Sequence, residues 1–340
     1  MVIEEAYSLL KHNTFGINVR CSRFIEYDSE LELRQVLSSM VDVRSGNVLH
    51  IGSGSNLLFT KDFNGTILHS AIKGKSVEVL EDGSVLVKVG AGENWDDFVG
   101  WCVEHGYYGL ENLSYIPGEV GASAVQNIGA YGSEVGDYIE YVETVDLFTG
   151  ESRIFAHDEC NYAYRKSIFK EEMKGHYAVT YVAYRLSKEF HPDLSYAALL
   201  KEIVNRHIDR DSLTADVLRR VVIDVRRGKL PEPQDLGSAG SFFVNPMVDE
   251  RKFSQLQAEY LDIPHYRQAD GVKIPAGWLI EQCGWKGKRL DKVGVYEKQA
   301  LVLVNYGGAT GQDIVDLSEA VREDVFKKFG IEIRPEVNFI

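Results

Sequence analysis

The chain has 340 residues, 44% hydrophobic and 26% charged, which is long enough for two or three domains with substantial cores. Its 51 Asp and Glu against 37 Lys and Arg give a formal net charge of -14, which argues against nucleic acid as a partner. No apolar run reaches the length of a membrane span, the first residues lack the pattern of a signal peptide, and the four cysteines form no metal-binding motif. We therefore expect a cytoplasmic protein.

Hydrophobic periodicity predicts a mixed succession of helices and strands. In chain order these are helix 29–40, strand 47–51, strands 76–80 and 85–89, helix 95–105, strands 138–147 and 177–186, helices 211–227 and 249–261, strand 300–305 and helix 311–329. Pro231 and Pro233 interrupt the pattern, so residues 229–236 are a predicted domain boundary.

A glycine-rich turn, Gly-Ser-Gly-Ser-Asn at residues 52–56, directly follows a predicted strand. Successive backbone N–H groups in such a turn can form a nest that binds a phosphate. Leu57 occupies the position of the third glycine of the dinucleotide fingerprint, and no P-loop lysine follows, so neither of those motifs is present. The alternative is a tight turn at the exit of the strand.

A second glycine-rich segment spans residues 109–132, with five glycines, one proline and only two charged residues. That much glycine is unfavourable inside a helix or strand, so the segment indicates backbone that approaches something a side chain would block. We expect a large ligand there, held by backbone N–H groups. Together with residues 52–56, the segment would form the walls of one binding cleft.

Three further segments could carry chemistry, and each has a structural alternative. In residues 161–169, Arg165 could stabilise an anion, or the segment could be a strand with buried aromatic and solvated basic side chains. In residues 237–243, Ser241 could approach a ligand, or the stretch could be a turn before a buried strand. In the strand-like tail, Glu336 could act as an acid, or it could face solvent from an edge strand.

Eight short strings, in order along the chain, resemble the UDP-N-acetylenolpyruvoylglucosamine reductases, the MurB flavoenzymes of bacterial cell-wall synthesis. They begin at Asn13 (NTFG), Gly52 (GSGSN), Gly90 (GAGENW), Gly109 (residues 109–132), Tyr164 (YRKSIFK), Ala239 (AGSFF), Ala276 (AGWLI) and Pro335 (PEV). No single string is specific, but eight in the family's order cover nearly the whole chain. The strings at Tyr164 and around Tyr196 resemble the subgroup with a tyrosine-bearing substrate loop.

The resemblance implies an α+β fold of the vanillyl-alcohol-oxidase (PCMH) type that binds FAD, with a separate C-terminal α/β substrate-binding domain. Residues 1–70 with 331–340 would form the first FAD-binding subdomain and residues 71–228 the second. Residues 229–330 would form the substrate-binding domain. The C-terminal strand would return to the first subdomain and bring Glu336 to the site.

The implied activity is NADPH-dependent reduction of the enolpyruvyl ether of UDP-N-acetylglucosamine to UDP-N-acetylmuramate, in peptidoglycan precursor synthesis. Non-covalently bound FAD would pass hydride from NADPH to the substrate, and the negative charge that develops there needs stabilisation. By the family pattern, Arg165 supplies positive charge, Ser241 donates the final proton and Glu336 assists. UDP-N-acetylglucosamine enolpyruvate and NADPH would be the small-molecule partners of a monomer, with no nucleic acid or membrane partner.

The resemblance also implies the remaining site residues. Those that would contact FAD are Gly52, Ser53, Gly54, Ser55, Asn56, Ile116, Pro117, Gly118, Gly121, Ala122, Gln126, Asn127, Gly129, Ala130, Tyr131, Gly132 and Arg226. Those that would hold the substrate are Tyr164, Tyr196, Lys229, Asn245, Lys286 and Gln299, and no metal is expected. The chain departs from the pattern at Val244 and Asn338, where relatives carry basic residues.

Two other classes of function are compatible with these motifs. A flavin oxidase or dehydrogenase of the same fold, acting on another sugar or alcohol, would have a base suited to oxidation and no need for Ser241. A non-catalytic flavin- or nucleotide-binding protein would keep the glycine-rich segments, but it has no reason to keep Arg165, Ser241 and Glu336 together.

Overall fold

The computed structural model describes residues 1–39 and 47–340, which fall into two compact units. Unit 1 comprises Met1–Tyr7, Cys21–Ser53 and Asn64–Arg226, and unit 2 comprises Ser8–Arg20, Gly54–Phe63 and Arg227–Ile340. The chain passes from unit 1 to unit 2 close to the predicted boundary at residues 229–236. The division into two FAD-binding subdomains and a substrate-binding domain stays a prediction.

Both units mix helices and strands. The strands are β1 Val2–Ser8, β2 Arg20–Tyr27, β3 Val48–Ile51, β4 Leu57–Leu58, β5 Phe63–Ser70, β6 Lys75–Val79, β7 Val85–Gly90, β8 Gly129–Ala130, β9 Ser133–Glu134, β10 Ile139–Asp146, β11 Ser152–Ala156, β12 Tyr177–Leu186, β13 Met247–Val248, β14 Tyr266–Gln268, β15 Gly271–Lys273, β16 Arg289–Leu290, β17 Val293–Val295, β18 Leu303–Asn305 and β19 Asn338–Phe339. The α-helices are α1 Glu30–Ser39, α2 Trp95–Glu104, α3 Val120–Gln126, α4 Ala197–Asn205, α5 Ala215–Lys229, α6 Glu250–Glu259, α7 Ala276–Gln282 and α8 Gly311–Phe329. Among the described residues, no helix combines the length and apolar character needed to cross a membrane.

Unit 1 contains a five-stranded sheet in the order β11-β10-β12-β7-β6, with antiparallel neighbours throughout. Alternate residues of β7, namely Val85, Val87 and Val89, are fully buried, as the period of a half-buried strand requires. They share one hydrophobic core with Trp95 and Phe98 of α2. This sheet and helix form the rigid base under the second glycine-rich segment.

The four-stranded sheet of unit 1 has the order β1-β2-β5-β3. Within it, β3 pairs with β5 in parallel, and Ile51 at the end of β3 lies opposite His69. The chain leaves Ile51 directly into the turn at residues 52–56. That turn therefore begins at the edge of the sheet, beside the C-terminal end of β5.

Unit 2 contains the small sheets β13-β15-β14, β16-β17-β18 and β19-β4. Its long helix α8 occupies the predicted range, because the Thr310 hydroxyl caps its first turn and Gly330, with a φ of 61°, ends it. In the last sheet β19 runs parallel to β4 and pairs Asn338 with Leu57. The C-terminal strand thus returns beside the residues that follow the glycine-rich turn, as the family resemblance implies.

Two sequence predictions are corrected by the structure. The helix predicted over residues 211–227 begins at Ala215, because Arg210–Ser212 form a separate 3-10 turn. The strand alternative for residues 161–169 is wrong, since these residues form a loop. The helix predicted over residues 29–40 is α1, and residue 40 lies outside the described residues.

The four cysteines differ in burial, and this predicts their reactivity. Cys21, Cys102 and Cys160 are buried, whereas Cys283 is partly exposed. Burial raises the pKa of the Cys21 and Cys160 thiols to about 11, which suppresses the reactive thiolate. We expect a chromogenic thiol reagent to modify Cys283 first in the native protein, and Cys283→Ser to remove that early phase. Early modification that persists in Cys283→Ser would contradict the burial of the other three thiols.

Candidate functional site

The two glycine-rich segments meet in unit 1 at Gly52. A Cβ atom placed on Gly52 would stand 3.0 Å from Glu119 Oε2 and 3.5 Å from the Ala122 Cβ. A Cβ atom placed on Gly121 would stand only 2.8 Å from the Ala91 Cβ, so α3 also lies close to the residues that follow β7. The start of residues 52–56 thus lies beside the start of α3, and the cleft predicted between the two segments stays a prediction.

The loop before α3 is fixed by backbone hydrogen bonds. Val120 N donates to Glu93 O at 3.0 Å, and Gly121 N donates to Ala91 O at 2.9 Å. Gly118 has a φ of 134°, a backbone conformation that other residues rarely adopt. The protein itself therefore holds this wall of the site in shape.

Arg165 lies against Gly129 in the second half of the same segment. Arg165 Nη2 donates to Gly129 O at 2.8 Å, and a Cβ atom placed on Gly129 would stand 2.7 Å from Arg165 Nη1. The centroid of the Tyr164 ring lies 5.3 Å from the Arg165 guanidinium. A Cβ atom placed on Gly129 would also stand 3.0 Å from Glu134 Cγ. Arg165 has a φ of 57°, which costs a non-glycine residue about 1 kcal/mol. Such strain is common at functional sites.

Asn127 ties the Arg165 loop to the end of α3, where it has a φ of 44°. Its Nδ2 donates to Ala163 O and to Glu134 Oε2, both at 2.9 Å. Its Oδ1 accepts from Gly136 N, also at 2.9 Å. The side-chain amide therefore has protein partners that position the loop, and its predicted contact with FAD stays a prediction.

Arg226 and Tyr131 complete a group that we call the Arg165 cluster: Arg165, Tyr131, Tyr196 and Arg226. Arg226 Nε donates to Tyr115 O at 2.9 Å, and its guanidinium interacts with the Tyr131 hydroxyl. The rings of Tyr131 and Tyr196 meet edge to face, with centroids 5.5 Å apart. Burial lowers the pKa of the Arg226 guanidinium, and the charge of Arg165 lowers it further. Two neighbouring cations in a chain of net charge -14 favour an anionic ligand.

In unit 2, Ser241 and Glu336 lie on neighbouring extended segments. Glu336 N donates to Phe242 O at 2.8 Å, and Phe242 N donates to Leu301 O at 2.7 Å. Phe242 is only 1% exposed, whereas Ser241 is exposed. Extended backbone turns successive side chains to opposite faces, so the Ser241 hydroxyl lies on the open face of this segment.

Two predicted substrate residues lie close to Ser241 along these segments. Asn245 Oδ1 accepts from Ala276 N, the first residue of α7, at 2.9 Å. Gln299 Oε1 accepts from Leu301 N at 3.3 Å. Both side-chain amides are therefore oriented by protein contacts.

Two predicted lysines lie elsewhere in unit 2, on exposed positions. Lys229 is the last residue of α5. Lys286 Nζ lies 3.0 Å from Glu281 Oε1, in an ion pair of which both members are at least one-third exposed. Such pairs contribute little to stability, so Lys286 can change partner at small cost. The roles of both lysines toward the substrate stay predictions.

Residues 54–56 of the glycine-rich turn belong to unit 2, and Gly54 packs against the backbone of residues 12–14. A Cβ atom placed on Gly54 would stand 1.9 Å from His12 O, and Gly54 has a φ of 74°, so only glycine fits. Thr14 N donates to Gly54 O at 3.3 Å. Within the described parts of the chain, the buried Thr14 hydroxyl has no hydrogen-bond partner. An unsatisfied buried hydroxyl costs about 1–3 kcal/mol, which a polar ligand would offset.

Asn56 links this turn to the C-terminal segment. Its Nδ2 donates to Glu336 O at 3.4 Å, and its backbone oxygen accepts from Asn338 N at 3.1 Å. A predicted FAD-binding residue and a predicted catalytic residue are thus joined directly, although 280 positions separate them.

An ionic group that no sequence motif indicates lies beside Gly52. His69 Nδ1 lies 2.9 Å from Glu26 Oε2, and His69 Nε2 lies 3.0 Å from Glu119 Oε1. The sequence signal that points to it is the charge of Glu119 within a nearly uncharged segment.

Two known families match this chain. Residues 22–155 match the family described as FAD binding domain, and residues 232–340 match UDP-N-acetylenolpyruvoylglucosamine reductase, C-terminal domain. The UDP-N-acetylenolpyruvoylglucosamine reductase of Bacteroides fragilis (strain YCH46) is 54% identical, over 99% of this chain and 100% of that protein. The chain belongs to this reductase family.

Other members agree with this assignment. The reductase of Porphyromonas gingivalis (strain ATCC 33277) is 50% identical over the full length of both chains. The crystal structure of the reductase (MurB) from Thermus caldophilus superposes with a TM-score of 0.68 at 22% identity, and it covers 100% of this chain and 99% of that one. The predicted family and the predicted α+β FAD-binding fold with its separate C-terminal domain are confirmed.

The residues present fit FAD, the cofactor of this family. In unit 1 Gly52 lets α3 pack closely against the start of the turn, and the Arg226 guanidinium carries a positive charge that would suit a diphosphate. In unit 2 the Thr14 hydroxyl lacks a partner among the described residues. The individual FAD contacts stay predictions.

Proposed function

We propose that this chain is an NADPH-dependent flavoenzyme that reduces the enolpyruvyl ether of UDP-N-acetylglucosamine enolpyruvate to UDP-N-acetylmuramate. The observation that carries the proposal is the pairing of the Ser241 and Glu336 segments in a member of this reductase family. A flavin-binding protein without catalysis gives no reason for that pairing. An oxidase of the same fold gives no role to Ser241.

Bound FAD would supply the hydride chemistry, from NADPH to the methylene carbon of the enol ether. Negative charge then develops on the adjacent carbon and its carboxylate, and it needs a preorganised cation or donor. We assign this role to Arg165, whose guanidinium is permanently charged and is held in place by the bond to Gly129 O.

The final proton is assigned to Ser241. A serine hydroxyl is a weak acid in water, but a carbanion-like carbon is basic enough to take its proton. Exposure of the hydroxyl beside the buried Phe242 supports this role, because the proton source is accessible on a fixed backbone. Glu336, on the paired segment, is assigned the assisting role in the same proton transfer.

Binding is assigned to the other predicted residues. Tyr164, Tyr196, Asn245 and Gln299 hold the substrate, and Lys229 and Lys286 contact its charged groups. NADPH uses the substrate's place in turn, which agrees with the lack of a dinucleotide fingerprint in the sequence. We also propose that the enzyme is cytoplasmic and monomeric. Light scattering of the purified protein tests the second point, because a monomer has a mass of 38.2 kDa.

Cofactor content and the first half-reaction provide the test. The purified chain should be yellow, and denaturation should release FAD into solution because no covalent link is expected. Under anaerobic conditions, an equimolar amount of NADPH should bleach the flavin absorbance. A colourless protein, or a flavin that NADPH leaves oxidised, would contradict the proposal.

A further inference from the structure

His69 lies between two carboxylates on different elements of unit 1. It stands near the end of β5, with Glu26 of β2 at 2.9 Å from Nδ1 and Glu119, just before α3, at 3.0 Å from Nε2. His69 is only 8% exposed, and the Glu119 side chain is 14% exposed. The three residues form an ionic group, which we call the His69 triad, in which His69 and Glu119 are largely buried and the Glu26 side chain is 35% exposed.

The chemistry of the His69 triad requires a doubly protonated imidazole. An ionised carboxylate only accepts hydrogen bonds, so each ring nitrogen must donate one. Burial alone would lower the pKa of His69, but the hydrogen bonds and charges of Glu119 and Glu26 raise it above its usual value. His69 is thus an imidazolium that donates to both carboxylates, so its single positive charge offsets only part of their negative charge.

Two titratable side chains near His69, those of His50 and Tyr27, do not share this positive charge. On the adjacent strand β3, His50 Nε2 lies 2.6 Å from the Tyr27 hydroxyl. Burial and then the charge of His69 lower the pKa of His50 to about 4, so His50 is neutral at physiological pH. Burial raises the pKa of Tyr27 well above its usual range, so this phenol is neutral too. These two groups therefore add no positive charge beside the carboxylates, while the exposed N-terminal ammonium of Met1 interacts with Glu26.

The Glu119 carboxylate connects the His69 triad to the glycine-rich turn. Its Oε1 meets His69, and its Oε2 lies 3.0 Å from where a Cβ atom of Gly52 would stand. Gly52 begins the turn that we assign to FAD. An uncompensated carboxylate at that point would repel the diphosphate of the cofactor.

We propose that His69 is a positioning residue of the FAD site, whose imidazolium reduces the negative charge at Glu119 and holds that carboxylate against Gly52 so that the adjoining turn can accept the FAD diphosphate. This inference rests on the proposed function, because it needs FAD as the ligand. A consequence is that FAD binds most tightly when His69 is protonated. Affinity should fall as pH rises through the raised pKa of His69.

The test is FAD release from diluted holoenzyme, followed by flavin fluorescence, for His69→Gln, Glu119→Gln and the double variant. We expect His69→Gln to raise the dissociation constant about tenfold, within the usual range of coupling between sites. Glu119→Gln should stay close to the wild type, and the double variant should recover most of the lost affinity. His50→Gln is the matched control, a nearby histidine whose loss should leave FAD affinity and its pH profile unchanged.

The outcomes separate the inference from the proposed function. Unchanged affinity in His69→Gln, or no recovery in the double variant, would overturn the role of His69. If His69→Gln does not fold, Glu119→Gln still decides, since it should lack the decline of affinity with rising pH that the wild type shows. Retention of that decline in Glu119→Gln would also overturn the inference. A wild-type chain that binds no FAD would instead overturn the proposed function.

Discussion

Ser241→Ala should leave reduction of the flavin by NADPH within about twofold of the normal rate, while reoxidation by the enolpyruvyl substrate slows on the order of 10²- to 10⁴-fold. The substitution removes one exposed hydroxyl and keeps the extended backbone. The hydrogen bond from Phe242 N to Leu301 O and the one from Glu336 N to Phe242 O do not involve that hydroxyl. The expected loss is therefore confined to the step that needs a proton.

Stopped-flow absorbance under anaerobic conditions measures the two half-reactions separately. Ser254→Ala is the control in the same unit, because the Ser254 hydroxyl donates only within α6, to Glu250 O, at 2.8 Å. It should leave both rates unchanged. If Ser241→Ala slows both half-reactions equally, Ser241 has a structural role and the proton comes from elsewhere.

Arg165→Met should slow the same substrate half-reaction by on the order of 10²- to 10³-fold, because a preorganised donor to developing negative charge is lost. The rate of Arg165→Lys should lie between that of Arg165→Met and that of the wild type. Lysine keeps the charge but lacks the planar guanidinium that donates to Gly129 O. Both replacements are unbranched, so neither adds β-branch crowding at the φ of 57°.

The control for Arg165 is its exposed neighbour, Lys166→Met, which removes a cation from the same loop. FAD content and substrate half-reaction rate are measured for all three variants. Lys166→Met should match the wild type in both. Equal rate losses in Lys166→Met and Arg165→Met would contradict a specific role for Arg165 and indicate that the loop's net charge is what matters.

Where local pattern decides structure, the sequence predicts it well. The helix over residues 311–329 and the strand over residues 177–186 appear with the predicted bounds. Each has strong periodicity, and the helix has a capping hydroxyl and a glycine that ends it. The start of α5 is less predictable, because Asp209 caps a separate 3-10 turn over Arg210–Ser212 where the sequence also offers caps for a longer helix.

The candidate site divides in the same way. Arg165, Ser241 and Glu336 stand in strings that resemble a family, so the sequence indicates them without any geometry. Their supports depend on contacts between distant positions. Asn127 holds the Arg165 loop through a left-handed backbone conformation and a hydrogen bond to Ala163 O, 36 positions away, and periodicity encodes neither.

The His69 triad shows the same limit more clearly. Its members come from three segments, and His69 is separated from Glu26 by 43 positions and from Glu119 by 50. A histidine inside a strand carries no motif of its own. The adjacency of β2 and β5 in the sheet brings Glu26 beside His69, and the close approach of Glu119 to Gly52 at the end of β3 brings in the third member. Both are properties of the folded chain.

The proposed activity is tested most directly by anaerobic reoxidation. The holoenzyme is reduced with NADPH, freed of excess reductant, and mixed with UDP-N-acetylglucosamine enolpyruvate in the absence of oxygen. Return of the oxidised flavin spectrum, with an equimolar yield of UDP-N-acetylmuramate, is the expected result. A flavin that stays reduced with this substrate and recovers its colour only when oxygen is admitted would contradict the assignment.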